Sequence, residues 1–125
     1  MTENEIPYKV IGAAIKLHKQ LGPGLLESAY ENALSYDLKN IGLEVEQQVS
    51  MPFKYKDVYL EVGYRIDLMI ENKVILEIKS VDRLAPVHFA QTLTYLKLSE
   101  KKLGLLINFN ENIIKNGIHR LVNNL

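Results

Sequence analysis

Hydrophobic positions at the start of the chain repeat at helical spacing. Val10, Ile11, Ala14, Ile15, Leu17, His18 and Leu21 predict a first helix from about Pro7 to Gln20. Pro7 suits a first helical turn. Gly22-Pro23-Gly24 then breaks the chain. A second helix is expected from about Leu25 to Ile41, with Leu26, Ala29, Tyr30, Ala33, Leu34 and Leu38 as its apolar stripe. Gly42 is placed to cap it.

Beyond Gly42 the period falls to two. Val45, Gln47, Val49, Met51, Phe53 and Tyr55 line one face of an extended segment, and Glu44, Glu46, Gln48 and Ser50 line the other. Lys56-Asp57 is a turn candidate. Val58, Leu60, Val62, Tyr64, Ile66, Leu68 and Ile70 then alternate along a long second strand, with Gly63 marking a bulge or bend. Glu71-Asn72-Lys73 turns the chain into a third strand, Val74 to Lys79. A helix from about Pro86 to Leu98 presents Phe89, Ala90, Leu93 and Leu96 to one side. Leu103 to Phe109 is apolar almost throughout, as in a strand covered on both faces. Ile113 to Val122 reads as a short strand or helix. The order is helix, helix, three antiparallel strands, helix, strand. It predicts a mixed α/β (α+β) sheet with helices packed on it, and a right-handed crossover if the third and fourth strands are parallel.

Composition narrows the chemistry. A length of 125 residues without repeats or linker-like stretches suits one domain, residues 1–125. Hydrophobic residues at 47% and charged residues at 24% allow a buried core. The lack of cysteine excludes disulfides, thiolate zinc and a cysteine nucleophile. Met1-Thr2-Glu3-Asn4-Glu5 does not resemble a signal peptide, and no apolar run approaches the ~20 residues of a membrane span. A cytoplasmic protein with no membrane partner is the expectation. A net charge of zero weighs against tight binding along an extended duplex, and less against an enzyme that touches few phosphates.

Two strands carry charges that a bland sheet does not explain. Glu77 and Lys79 share a face of what should be a central strand, where buried charges are costly unless paired or bound to something. Asp67 interrupts the neighbouring strand between Ile66 and Leu68. With Glu71-Asn72-Lys73 as a three-residue loop, Ile70 faces Val74 and Asp67 falls opposite Glu77. A two-residue loop would set Asp67 opposite Leu76, on the wrong face. Adjacent carboxylates repel one another without a cation and suit a hard divalent ion, Mg²⁺ or Mn²⁺. Lys79 can orient a water or stabilise a pentavalent phosphate. The bland alternative is an exposed Glu–Lys pair on a half-solvated sheet.

Asp67, followed ten positions later by Glu77-Ile78-Lys79, resembles the PD-(D/E)XK nuclease superfamily, with Ile66-Asp67 where that pattern often has Pro-Asp. Gly24-Leu25-Leu26-Glu27-Ser28-Ala29-Tyr30 reads as G-x-x-E-x-x-Y and is similar to the "GxxExxY" proteins of that superfamily. Gly63 to Leu68, Gln91 to Leu96 and Gly104 to Phe109 extend the likeness. The resemblance implies a restriction-endonuclease-like αβββαβ core with an extra N-terminal helix. It implies that Glu27, Asp67, Glu77 and the backbone carbonyl of Ile78 hold the metal, and that Lys79 assists the nucleophilic water with Gln91 in support. It also implies that Gln91 and Tyr95 line the cleft.

Each added residue has an ordinary reading as well. Glu27 and Tyr30 share a helix face and would alone be a solvated glutamate and a core-edge tyrosine. His88, Gln91 and Tyr95, at i, i+3 and i+7, could be the wet side of a helix rather than a substrate-facing row. Arg65 shares the face of Asp67 by alternation, where it can pair with a carboxylate or hold the scissile strand. His18 reads as a packed histidine, and His119 and Arg120 as surface residues. No phosphate-binding loop, dinucleotide fingerprint, zinc-protease motif or serine elbow is present. The expectation is a divalent-metal-dependent nuclease acting on DNA. The alternatives are an inactive nucleic-acid-binding module, or a protein-interaction module in which Tyr55, Tyr59 and Tyr64 support a homodimer.

Overall fold

The computed structural model describes all 125 residues. Helix α1 spans Glu5–Leu21 and α2 spans Glu27–Asn40. Strands β1 (Val45–Ser50), β2 (Phe53–Tyr55), β3 (Val58–Leu60), β4 (Arg65–Ile70) and β5 (Val74–Lys79) follow. Helix α3 (Pro86–Ser99), β6 (Leu103–Asn108), a 3₁₀ turn (Ile114–Gly117) and β7 (Ile118–Val122) complete the chain.

The main sheet has the order β1-β4-β5-β6-β7, antiparallel except for the β5–β6 pair. It is the expected mixed α+β architecture of the restriction-endonuclease-like type. Strand β5 is central, and all of it but Lys79 is buried. Strand β6 is buried throughout, as its unbroken apolar run required. The segment left open between strand and helix is both a 3₁₀ turn and an edge strand against β6.

The β4–β5 hairpin has the predicted register. Ile70 pairs with Val74, Met69 with Ile75 and Leu68 with Leu76, leaving residues 71–73 as the loop. Glu71 and Asn72 both adopt positive φ, at 54° and 52°, to make that turn.

The two long strands expected between Val45 and Ile70 are not continuous. The chain leaves the main sheet after Ser50 and rejoins it at Arg65. Between these points β2 and β3 pair only with each other, as a two-stranded sheet turned at Lys56-Asp57. Pro52 lacks an N–H to continue a ladder, and Gly63 takes φ 80°, so the alternating pattern runs on through two breaks in the backbone.

Helices α1 and α2 cover one face. Ile6, Val10, Ala14 and Leu17 of α1 and Leu34 and Leu38 of α2 pack on Leu68, Ile70, Leu76, Ile78, Leu105 and Ile107. Each of the valine, leucine and isoleucine side chains contributes roughly 1.5–3 kcal/mol on full burial. Helix α3 covers the opposite face, where Tyr95 and Leu96 join Met51, Ile66, Met69 and Ile75. Leu96 packs directly over Gly104 of β6. His18 is 8% exposed and its Nε2 is 2.7 Å from the Glu111 carbonyl oxygen, the packed role expected. No helix is long and apolar enough to cross a membrane.

Candidate active site

The β4–β5 ladder ends at the Leu68–Leu76 pair. One step further the register brings Asp67 level with Glu77, but Ile66 already packs on the α3 side with Met69 and Ile75, so strand alternation breaks at Asp67. At that step a side chain takes over from the backbone. The main-chain N–H of Ile78 donates to Asp67 Oδ2 at 2.9 Å. Glu77 is 4% exposed, and its Oε1 is buried with no hydrogen-bond partner. Burial and the neighbouring Asp67 carboxylate push the Glu77 carboxyl up to about 10, against a weaker pull downwards from Lys79. Without a cation, a proton on Glu77 relieves the repulsion between the two acids.

A third acid approaches from α2, and it is Glu31 rather than Glu27. Glu31 is 9% exposed, and burial raises its carboxyl above the ordinary range, with Asp67 acting in the same direction. Two glutamines of β1 hold it. Gln47 Nε2 donates to Glu31 Oε2 at 3.0 Å, and Gln48 Nε2 donates to Glu31 Oε1 at 2.7 Å and to Asp67 Oδ1 at 3.2 Å. Gln48 has φ 52°, which breaks strand alternation and lets one amide span both acids. Sequence reasoning missed Glu31 and Gln48. Glu31 lies one helical turn after Glu27 on the same face. That spacing was the available signal.

The remaining candidates divide by position. Lys79 is half-buried at the end of β5, and its charge is felt by Glu77. Tyr95 is 4% exposed, and its hydroxyl accepts a hydrogen bond from Gln91 Nε2 at 3.1 Å. Burial raises the Tyr95 phenol, with further upward pushes from Glu77 and Asp67. Gln91 and Tyr95 therefore border the acids on the α3 side. His88 is used within its own helix start, where its Nδ1 accepts the N–H of Ala85 at 2.9 Å. Arg65 is exposed at the start of β4, opposite Ser50.

Glu27 is exposed in the first turn of α2. The Ser80 hydroxyl donates to the Leu25 carbonyl at 2.6 Å, which ties this end of α2 to the chain just after Lys79. Tyr30 does not face a substrate. It is fully buried, stacks on Phe109 at 4.7 Å, donates to the Gly22 carbonyl and accepts the Leu25 N–H. Its hydroxyl is spent on closing the Gly22-Pro23-Gly24 loop.

The donor set suits a hard divalent ion in part. Asp67 and Glu77 are oxygen donors, and the unpartnered Glu77 Oε1 is a buried polar atom that a cation would satisfy. No three Asp, Glu or His side chains converge into a ready-made cage. Mg²⁺ is commonly held by one or two carboxylates, with water and substrate phosphate completing its shell. A cavity of about 510 Å³ lies elsewhere, between α1 and α2 and lined by residues such as Tyr8, Lys16 and Asp37. The chemistry, rather than the volume, locates the site.

No curated protein matches the chain. Among solved structures, the crystal structure of SSO0001 superposes with a TM-score of 0.56 at 22% sequence identity, covering 98% of this chain and 63% of that one. That likeness is one of fold, and this chain spans 63% of the neighbour's length. The model of the PD-(D/E)XK nuclease superfamily matches residues 4–121. With nearly the whole chain matched and Asp67, Glu77 and Lys79 set on adjoining strands of the sheet, the protein belongs to the PD-(D/E)XK nuclease superfamily.

Proposed function

We propose that the protein is a divalent-metal-dependent nuclease that hydrolyses phosphodiester bonds in DNA. The observation that supports this most is the buried Glu77 carboxyl beside Asp67, its Oε1 without a partner, two residues from Lys79 on the same strand. Superfamily membership suggests a nucleic-acid substrate, and such nucleases generally use divalent metals. Gly24, Glu27 and Tyr30 support placement in the GxxExxY group.

On this reading Asp67 and Glu77 would hold Mg²⁺ or Mn²⁺, the Ile78 carbonyl would be a further donor, and Glu31 or Glu27 would add negative charge from α2. The ion, when bound, supplies charge stabilisation at the phosphate and acidifies a water. Lys79 orients the attacking water and offsets the negative charge that grows on the phosphate. Gln91 and Tyr95 form one wall of the cleft, and their hydrogen bond fixes the Gln91 amide. Arg65, exposed at its rim, takes a strand phosphate.

The test is cleavage of single-stranded, duplex and branched DNA with Mg²⁺ or Mn²⁺. An Asp67→Ala/Lys79→Ala double variant should lose on the order of a hundredfold or more in rate. Equal activity in wild type and variant would remove the basis for the proposal.

A further inference from the structure

The β2–β3 hairpin has no role in the hydrolytic site, yet it is attached beside it. It leaves the main sheet after Ser50 and returns at Arg65, two residues before Asp67. Its base is joined to the site by aromatic contacts. Phe53 lies 6.2 Å from Tyr64, and Tyr64 lies 6.1 Å edge-on from Tyr95. Tyr95 in turn feels the charges of Glu77 and Asp67.

Further out, the hairpin displays rings that no core requires. Tyr55 is 58% exposed and Tyr59 is 72% exposed. The cross-strand register pairs Lys54 with Tyr59 and Tyr55 with Val58, so the two tyrosines stand on opposite faces of the ribbon. Each carries its own cation. Lys54 Nζ stands 5.9 Å from the Tyr59 ring centre, and Lys56 Nζ stands 5.4 Å from that of Tyr55. An exposed ring with an ammonium over it matches a nucleotide, because the base can take the ammonium's place on the ring face while the displaced ammonium meets the phosphate. Base pairs in a duplex are already stacked and hide their faces. A ring can take up only bases that are unpaired.

From this juxtaposition we propose that the β2–β3 hairpin is a single-strand-binding arm. Tyr55 and Tyr59 stack on unpaired bases, Lys54 and Lys56 contact the adjoining phosphates, and the captured strand leads past Tyr64 to the Asp67–Glu77 site. The substrate class is therefore DNA with an unpaired segment: a single strand, flap, fork or junction. This inference rests on the nuclease reading above. Either ribbon face, with its one tyrosine, could instead join two copies of the chain, but a lysine over each ring favours a polyanion over a second identical, lysine-bearing hairpin.

The experiment measures binding by fluorescence anisotropy in Ca²⁺, with a labelled 20-nucleotide single strand, a forked duplex and a blunt duplex as probes. Tyr55→Ala/Tyr59→Ala should weaken binding to the single strand and the fork on the order of tenfold or more. It should change blunt-duplex binding less than threefold. Because the chain has no tryptophan, Tyr59→Trp supplies a single tryptophan that can be excited apart from the tyrosines. Its emission should be quenched on adding the single strand and not on adding the blunt duplex. Circular dichroism of each variant checks that the fold persists, and Tyr59→Trp tests the arm without truncating it.

Equal loss on all three probes, or no loss, overturns the proposal while leaving the nuclease reading standing. So does a wild-type dimer in sedimentation that Tyr55→Ala/Tyr59→Ala converts to monomer. Absence of both binding and cleavage for every DNA probe overturns the proposal and the nuclease reading together.

Discussion

Replacing Glu77 by glutamine should flatten the dependence of stability on pH. In the folded chain the Glu77 carboxyl is raised to about 10, from an ordinary value of 4.5. Between those two values the unfolded chain has released a proton that the folded chain still holds. The stabilisation tied to Glu77 is thus fully present below pH 4.5 and declines as pH rises towards 10. One proton corresponds to ~1.36 kcal/mol per pH unit, so raising the pH from 5 to 8 should cost about 4 kcal/mol. That is a large share of the roughly 5–15 kcal/mol that stabilises a typical domain. Glutamine has the shape of the neutral acid and does not titrate. Urea unfolding in EDTA at pH 5, 6, 7 and 8 should show wild type losing about 4 kcal/mol more than Glu77→Gln across the range. Glu31 is raised in both proteins and shifts both curves in the same direction. Adding Mn²⁺ should flatten the wild-type curve, since a cation favours the ionised acid, and should leave the variant unchanged. Parallel curves for the two proteins in EDTA would refute the placement of a neutral acid at this position.

Three further outcomes are expected. Glu31→Gln should weaken Mn²⁺ binding about tenfold, or ~1.4 kcal/mol, and more than Glu27→Gln does, as read by calorimetric titration; the reverse ranking would return the α2 charge to Glu27. Tyr30→Phe should lower stability by about 1–2 kcal/mol in chemical unfolding, because it strands the Gly22 carbonyl and the Leu25 N–H without altering the Phe109 stack. Gln48→Gly should be more stable than Gln48→Ala by about 1 kcal/mol, inverting the usual strand preference, because φ 52° strains any residue with a Cβ.

Much of the frame was legible because its signals are local. The β4–β5 register followed from parity. Asp67 and Glu77 can share a face only across an odd-numbered loop, and residues 71–73 form one. The burial of β6 followed from its unbroken apolar run. The β2–β3 hairpin was hidden because alternation persists through Phe53, Tyr55, Val58 and Leu60 whether or not the strand stays in the main sheet. Period two reports an extended backbone, not which neighbour it pairs with. Pro52 and Gly63 were the marks of the break, and each is also compatible with a bulge in a continuous strand. Tyr55 and Val58 follow that alternation and are exposed all the same.

The acids of the site were legible to different depths. Asp67 and Glu77 stood out because a strand of β-branched and leucine residues has no structural use for them. Glu31 did not, because a helix tolerates a glutamate on any wet face. Its burial arises from tertiary placement, when Gln47 and Gln48 of β1 lie across it. The left-handed Gln48 that makes this possible carries no mark in sequence, since glutamine is not among the residues that visit positive φ readily.

Gln48, Asp67 and Glu77 occupy neighbouring strands at one level of the sheet, and each departs from what a stable sheet would choose. Gln48 carries backbone strain. Asp67 diverts its carboxylate to a main-chain N–H where the ladder ends. Glu77 leaves a buried oxygen unpartnered. Hydrophobic residues at all three positions would serve the fold better. The departures share one physical remedy. A divalent cation between the acids would satisfy Glu77 Oε1, offset the burial and the repulsion that keep Glu77 protonated, and make use of the Gln48 amide that holds Asp67 and Glu31 together. Local instability concentrated where one ion can relieve it is the physical basis of the proposed metal site. On the proposed function, a chain of zero net charge would act on a polyanion because the positive charge needed at the phosphate would come with the ion and Lys79, not from the surface at large.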